Sequence, residues 1–312
     1  MPKAVSRARC AIYVIIAGVL FGTTGTTSRF APEGATPLSI GSARAAFGGI
    51  VLGLIGLAIW AKVRRGRTAI RHPHGKLVTA VTVFAAAVGV AAYQATFFYG
   101  TLVNGVATGT VIALGSSPLF AGLFEWLVLK RRPGWIWLAA TGLAVVGVLL
   151  LSGNGSSGEA TNLLGVAASA TAGACYGMYV VATKVLLENG WHSQDAVSIS
   201  LGVGGVLGLI MLPFTDFTWL ADPRGIAVTA WLGIATIVIA YTVLGRGLGG
   251  LPAATAATLT LAEPATATML GVFVLGEQLG IPSAVGIALI VVAVLTLSLP
   301  SRDDTVARAE LG

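Results

Sequence analysis

The sequence predicts an all-α integral membrane protein with ten transmembrane helices in two inverted five-helix repeats. The first observation is the composition, because 55% of the 312 residues are hydrophobic and only 10% are charged. A soluble domain carries about 25% charged residues. The second observation is a succession of apolar runs, each of roughly the 20 residues that a bilayer core requires. The third is an internal similarity between the two halves of the chain.

Ten apolar segments are long enough to cross the membrane. Their uninterrupted apolar character favours helices, since strands of a lipid-facing barrel alternate in polarity over about ten residues. The first run continues to about Phe30, which is too long for the apolar region of a signal peptide, so we expect it to be retained. The predicted spans are 11–31, 38–61, 77–99, 105–129, 134–153, 162–184, 196–214, 225–245, 252–276 and 280–300.

The basic residues predict the orientation of these spans. Ten spans place 16 of the 19 lysines and arginines on the face that carries both termini, many of them in the connection 62–76. The opposite connections, such as 154–162 and 215–225, are short and polar. The positive-inside rule therefore predicts a multi-pass protein of the cell membrane with both termini in the cytoplasm. Charges placed in this way indicate a lipid bilayer and not nucleic acid as the partner, despite the net charge of +7.

The two halves of the chain resemble one another at a nearly constant offset. LGLIGL at 52–57 matches LGLIML at 207–212, and the same offset places Phe21-Gly22 over Tyr176-Gly177. Each half holds five spans. Because five is an odd number, the second half enters the membrane from the opposite face, an arrangement typical of secondary transporters. The predicted units are a first repeat at 1–153, a second repeat at 154–300 and a cytoplasmic tail at 301–312.

The ninth span contains Glu263 near its middle, directly before Pro264. An ionisable side chain at this depth costs a few kcal/mol and by default marks a functional site. Two interpretations are open: the carboxylate binds a substrate ammonium or a coupling proton, or it is a protonated or paired group that joins helices. A proline removes a helix hydrogen bond, so we expect helix breaks at Pro264 and at its first-half counterpart Pro118.

Further polar residues within the spans are candidates for the same site. Arg44 lies a third of the way into span two. It binds a substrate carboxylate with its planar guanidinium, snorkels to the outer interface or satisfies backbone carbonyls at a broken helix. Glu125, near the cytoplasmic end of span four, is expected in a gate or in an ion pair close to Lys130. Aromatic walls with a few polar groups suit a small solute, although each such residue alone also suits a packed core. These wall candidates are Tyr93, Gln94, Tyr99, Tyr176, Tyr179 and Tyr241.

Several other classes of site lack their characteristic patterns in this sequence. The two cysteines, Cys10 and Cys175, fall in or beside apolar spans and give neither a disulfide framework nor metal-ligand spacing. The glycine-rich segment 245–252 lacks the preceding strand and the Lys-Ser/Thr of a phosphate-binding loop. We therefore expect no metal, no ATP and no other cofactor.

Three stretches carry a resemblance to a known family: FGTTGTTSRF in span one, KRRPGW after span four and LAEPATATMLGVFVLGEQLG in span nine. Together they resemble the drug/metabolite transporter superfamily, in its two-repeat EamA-type branch. The resemblance covers nearly the whole chain and implies ten helices, a bacterial inner membrane and transport of small metabolites, often amino acids or related compounds. The first repeat departs from the pattern, because Ser117-Pro118 stands where the second repeat has Glu263-Pro264.

The sequence and the resemblance together predict a secondary transporter, an exporter that moves a small solute through a midplane site. A proton or the substrate gradient is the expected driving force. One alternative is a cationic-drug exporter, although multidrug exporters of the short four-helix kind place their glutamate in span one. The polar side chains in the middle of span one are threonines here, namely Thr23, Thr24, Thr26 and Thr27. A non-transporting scaffold and a membrane-embedded enzyme are rivals from different classes, and an enzyme would need several ionisable groups at one depth.

Overall fold

The computed structural model describes residues 6–63, 75–152, 162–278 and 280–299, and within these ranges it is helical and contains no strand. A π-helical segment, Leu232–Ile239, joins α8 to α9, and two short 3₁₀ turns, Leu212–Phe214 and Thr218–Ala221, precede α8. The helices are α1 (Arg7–Ser28), α2 (Pro37–Val63), α3 (Gly75–Asn104), α4 (Val106–Leu129), α5 (Trp135–Ser152), α6 (Leu163–Glu188), α7 (Ser193–Met211), α8 (Pro223–Trp231), α9 (Ala240–Leu248), α10 (Ala253–Leu259), α11 (Ala262–Leu275) and α12 (Ile281–Ser298).

The described part of the chain contains nine apolar helical segments that are long enough to cross a membrane, and a shorter tenth one at Trp135–Leu151. Span eight runs from α8 through the π-helical segment to α9, and span nine consists of α10 and α11. The all-α membrane fold with ten spans is therefore confirmed. Most of the basic connection 62–76, the connection 154–161 and the tail 301–312 lie outside the described residues.

The helix contacts of one half recur in the other half, with each helix replaced by its counterpart. α6 packs against α3 and α4, while α1, its counterpart, packs against α9 and α11. α2 packs against α7 and α5 against α12, so that each of these helices meets its own counterpart. The C-caps of α4 and α11 also correspond, since Lys130 (φ 58°) and Gly276 (φ 71°) are both left-handed. This exchange is what a two-fold relation requires, and it confirms the predicted inverted repeats.

The α2–α7 interface depends on glycines that bring the two backbones together. A Cβ built on Gly49 would lie 2.5 Å from the carbonyl oxygen of Leu201 and 2.6 Å from the Cα of Gly205. Both distances are too short for any side chain. Small residues of this kind allow membrane helices to associate closely, and here they join one helix of each repeat.

The two corresponding prolines have different effects on their helices. α4 continues through Pro118 as a single helix, so the expected break does not occur there. Proline cannot donate a hydrogen bond to the carbonyl four residues earlier, which is that of Leu114. The hydroxyl of Ser117 donates to this carbonyl at 2.9 Å instead. A serine side chain thereby satisfies the acceptor that the proline leaves free, as polar side chains commonly do in membrane helices.

Span nine is interrupted one turn before Pro264, between α10 and α11. The residue four positions before this proline is Thr260, whose carbonyl the proline ring would crowd in a continuous helix. Glu263 has no hydroxyl with which to rescue that carbonyl. Its backbone N–H donates to the carbonyl oxygen of Thr260 at 2.9 Å and tightens the turn. The interruption therefore lies at Thr260–Leu261, directly beside the carboxylate.

Candidate functional site

A cavity of about 70 Å³, room for about two water molecules, lies beside the interruption in span nine. Seven spans from both repeats contribute side chains to its wall, as we expect for a site between two inverted repeats. The lining residues are Phe21, Thr24, Arg44, Tyr93, Phe97, Leu114, Ser117, Tyr176, Thr236, Ile237, Tyr241, Thr260, Leu261 and Glu263.

Glu263 lies at the start of α11, and its half-buried side chain faces this cavity. Its carboxylate forms no hydrogen bond and no ion pair with any residue in the described ranges, so it does not join helices by pairing. Close packing of α1 on α11 sets its position. A Cβ built on Gly22 would lie 2.7 Å from the carbonyl oxygen of Glu263 and 2.7 Å from the Cβ of Thr266. Only glycine allows this approach.

Arg44 projects from α2 into the same cavity. Its Nη1 donates to the hydroxyl of Thr24 at 3.3 Å, and its Nη2 donates to the side-chain oxygen of Gln94 at 3.4 Å. Its Nε is buried and has no hydrogen-bond partner among the described residues. Both hydrogen bonds are long for this type of contact, so the guanidinium keeps donor capacity for an anionic ligand.

Aromatic rings form much of the remaining wall. Tyr93 stacks on Phe97, with ring centroids 5.4 Å apart, and is tilted towards Tyr176 at 6.3 Å. Tyr241 meets Phe21 edge-on at 5.0 Å. The hydroxyl of Tyr176 donates to that of Thr260 at 3.3 Å, so α6 contacts the helix interruption directly. The wall is apolar with a few hydroxyl groups, as in sites for small solutes.

The structure brings together some of the predicted wall residues and not others. Gln94 lies behind Arg44 and holds it. Tyr179 is buried in a second layer, 5.3 Å from the ring of Tyr241 and outside the cavity lining. Tyr99 does not join the site, because it is 48% exposed on α3. At 100° per residue it lies about 240° around the helix from Tyr93.

Several residues that line the cavity were not predicted as part of the site. Ser117 lines the cavity from α4, and the repeat could have indicated it because Ser117-Pro118 is the counterpart of Glu263-Pro264. Thr24 is one of the threonines of span one. Thr236 belongs to the π-helical segment, a geometry that is frequent at functional sites. A uniformly apolar stretch gives no sequence signal for such a segment.

Glu125 has a different role from the expected ion pair close to Lys130. It is 2% exposed, and its two carboxylate oxygens accept hydrogen bonds from the backbone N–H groups of Ala253 at 3.0 Å and Ala254 at 2.8 Å. It therefore caps the first turn of α10, in the other repeat. Lys130 lies after the end of α4 in a left-handed conformation, where the chain leaves the helix.

Comparison with known proteins places these features in a family. Residues 8–153 and 163–299 match the EamA-like transporter family. The chain is 38% identical over 301 residues to the uncharacterized transporter YwfM of Bacillus subtilis (strain 168), and this match covers 96% of each protein. It is 27% identical over 225 residues to the threonine/homoserine exporter RhtA of Escherichia coli (strain K12), covering 67% of this chain and 72% of RhtA.

The fold also matches a solved structure. A protein known from its crystal structure superposes with a TM-score of 0.74 at 21% sequence identity, covering 93% of this chain and 96% of its own. At this level of identity the likeness concerns the fold alone, and it agrees with the ten-helix arrangement described above.

Proposed function

Because the chain belongs to the EamA-like transporter family, we propose that it is a secondary active exporter of a small zwitterionic metabolite, such as an amino acid or a related compound. One observation carries this proposal: Arg44 and Glu263, from opposite repeats, line a single cavity and do not pair with each other. A cation and an anion held apart in this way match the carboxylate and the ammonium of one solute.

The chemistry of the two side chains supports this assignment. The planar guanidinium of Arg44 can bind a carboxylate through two parallel hydrogen bonds. The carboxylate of Glu263 is costly in a low dielectric unless a partner compensates its charge. A solute ammonium or a coupling proton supplies that partner. Tyr93 and Tyr241 then provide apolar surface for the remainder of the solute.

The size of the cavity supports a transport cycle with more than one conformation. Its volume of about 70 Å³ is well below the roughly 300 Å³ at which ordinary ligand pockets begin. The described conformation is therefore a contracted one, and helices must separate before a solute can enter. Binding of the solute favours the conformations that accommodate it, which is the basis of alternating access.

The proposed direction of transport rests on a relative, and the proposed orientation of the protein rests on the distribution of its charges. The excess of basic residues on the face of the termini supports a cytoplasmic location for that face, in the cell membrane. RhtA is named as an exporter, and we propose the same direction here. The presence of Arg44 in the cavity disfavours an organic cation that has no anionic group.

Transport in proteoliposomes tests the proposal with a set of matched solutes. Each amino acid is compared with its decarboxylated amine and with its deaminated acid, by counterflow into vesicles preloaded with the same compound. We expect at least one intact zwitterion to exceed both of its analogues by about tenfold, the factor for one lost charge-assisted contact. Equal counterflow of the amine would instead indicate a cationic-drug exporter. No counterflow of any solute would indicate a scaffold or an enzyme.

A further inference from the structure

The turn between α9 and α10, residues 249–252, lies on the terminal face, which we define as the face of the bundle where α1 begins. Buried charged side chains hold this turn at both of its ends. Glu125 of α4 accepts the N–H groups of Ala253 and Ala254. Lys184 of α6 donates to the carbonyl oxygen of Leu248 at 2.9 Å. The anion thus meets the start of one helix and the cation meets the end of another.

Each charge has the sign that the helix end prefers, since a helix carries partial positive charge at its N-terminus and partial negative charge at its C-terminus. Glu125 and Lys184 are 2% and 7% exposed. Charge-assisted hydrogen bonds are about twice as strong as neutral ones, and a buried charge that loses its partner is strongly destabilising. We therefore expect the turn to have two defined arrangements, either fully held or released and hydrated.

A further ion pair fixes the helices that carry these side chains. Glu188 forms an ion pair with Arg131, which follows α4, and also lies 3.7 Å from Lys184. The ends of α4 and α6 are thereby tied together on the terminal face. They form a platform against which the α9–α10 turn is held.

Leu251 of the turn is buried, whereas Gly249, Gly250 and Pro252 are exposed. All residues of α10 are buried. A Cβ built on Gly247 of α9 would lie 2.7 Å from the carbonyl oxygen of Cys10, and Cys10 itself is 1% exposed. A separate cavity of about 500 Å³, lined in part by Lys184, Arg246 and Gly249, reaches the outer side of the turn. This open space on the terminal face therefore extends as far as the turn.

The turn also lies about two helical turns from the candidate site along α4 and α6. Glu125 and Lys184 are each eight residues beyond a residue of the cavity wall, Ser117 in α4 and Tyr176 in α6. Eight residues correspond to about 12 Å along a helix. The helices joined by the turn lead to Tyr241 and to the interruption beside Glu263, so that a displacement of the turn moves two walls of the cavity.

We propose that Glu125 and Lys184 are positioning residues that form a releasable clamp on the α9–α10 turn. The clamp closes the path between the terminal face and Glu263, and it opens when the solute passes through that face. This inference rests on the proposed transport function. Glu125 and Lys184 do not contact the solute; they determine which face of the site is open.

The two native cysteines can report the state of the clamp separately. Cys10 packs against α9 beside the turn, whereas Cys175 lies deep in α6, where its backbone meets Gly89 of α3. We compare a protein that retains only Cys10, through Cys175→Ala, with one that retains only Cys175, through Cys10→Ala. The measurement is the rate of alkylation by N-ethylmaleimide in lipid nanodiscs. No solute is required.

We expect Glu125→Gln and Lys184→Met each to raise the alkylation rate of Cys10 about tenfold, on the scale of one lost charge-assisted hydrogen bond. The rate at Cys175 should stay within about twofold. Glu277→Gln, at an exposed carboxylate on the other face, serves as the matched control and should change neither rate.

Three outcomes would overturn the clamp. The first is an unchanged alkylation rate of Cys10 in both variants, and the second is an equal rise in rate at Cys10 and Cys175. The third is an equal rise in the Cys10 rate in the Glu277→Gln control. An equal rise at both cysteines would indicate a general loss of packing. The result is independent of the proposed function, because labelling needs no transport. If the labelling responds as expected in a protein that moves no solute, the transport proposal fails and with it the role of the clamp in solute passage, while the hold of the two side chains on the turn stands.

Discussion

Arg44 retains its guanidinium inside the bundle through two long hydrogen bonds, to Thr24 and to Gln94. Neither partner is charged, so neither compensates its positive charge. Glu263 lines the same cavity and forms no hydrogen bond or ion pair among the described residues. Two opposite charges that share a cavity of low dielectric without direct pairing are costly, which is the physical reason to assign them to a ligand that carries both opposite charges.

Arg44→Lys tests the role of the guanidinium. A lysine ammonium keeps the charge but cannot form the two parallel hydrogen bonds of an arginine with a carboxylate. We expect the half-saturating solute concentration to rise about tenfold, consistent with one lost charge-assisted contact, at an equal amount of protein in the membrane. Arg224→Lys, at an exposed position in the first turn of α8, is the matched control. Unchanged transport by the Arg44 variant would remove this residue from the site.

The sequence identifies some of the buried charged side chains, but it does not identify their hydrogen-bond partners. Glu263 and Arg44 could be singled out because charged side chains inside apolar spans are conspicuous. The hydrogen-bond partners of Glu125 could not, since they are backbone groups of Ala253 and Ala254 in the other repeat, and no side-chain pattern indicates them. Tyr99 was included for its residue type, and its position around α3 excludes it.

At the scale of helices, the repeated Xaa-Pro pair shows how one residue changes an element. Ser117 supplies the hydroxyl that keeps α4 continuous through Pro118, whereas Glu263 supplies none and span nine divides. The sequence predicted an effect of each proline but not this difference between them, because the outcome depends on a hydrogen bond from the preceding side chain. The division of span nine places Glu263 at a helix start that faces the cavity.

The approach of α1 to α11 gives a prediction with an internal control. A Cβ at Gly22 would meet the backbone of Glu263 at 2.7 Å, whereas one at Gly25 in the same helix has nothing within 4 Å. Gly22→Ala should therefore destabilise the protein by about 1–3 kcal/mol, the cost of overpacking, and impair transport. Gly25→Ala should be neutral or stabilising, because alanine favours helix more than glycine does.

Thermal unfolding in detergent, followed by circular dichroism, compares the two variants. A lower midpoint for Gly22→Ala than for Gly25→Ala is the expected order. Equal midpoints would show that α1 and α11 can separate without cost, and the proposed positioning of Glu263 by α1 would then fail.

At the scale of the whole molecule, the length of each span and the inverted orientation of the two halves could be predicted. Each apolar run must match the thickness of the bilayer, and five spans per half, an odd number, place the second half in the opposite orientation. The exchanged packing of α1 and α6 was not visible in the sequence, because glycines and small apolar residues give little information about which helices meet. The π-helical segment was equally hidden.

Orientation is a prediction that belongs to this scale. Single cysteines at Arg67 and Ser157, in a background that lacks Cys10 and Cys175, should react differently with a membrane-impermeant thiol reagent in whole cells. The positive-inside rule predicts labelling at Ser157 and none at Arg67. The reverse pattern would contradict this orientation and place both termini on the outer face of the membrane.

The central claim is that the charge of Glu263 drives the transport cycle, because solute or proton supplies the partner that the carboxylate lacks. Transport by Glu263→Gln in proteoliposomes, with and without an imposed pH gradient, tests it most directly. Glutamine preserves the shape and removes the charge, and Glu277→Gln is the control. We predict that the Glu263→Gln protein inserts and folds normally but loses gradient-driven transport. If the carboxylate binds the solute ammonium, counterflow is lost as well. Wild-type rates and wild-type pH dependence would contradict the account.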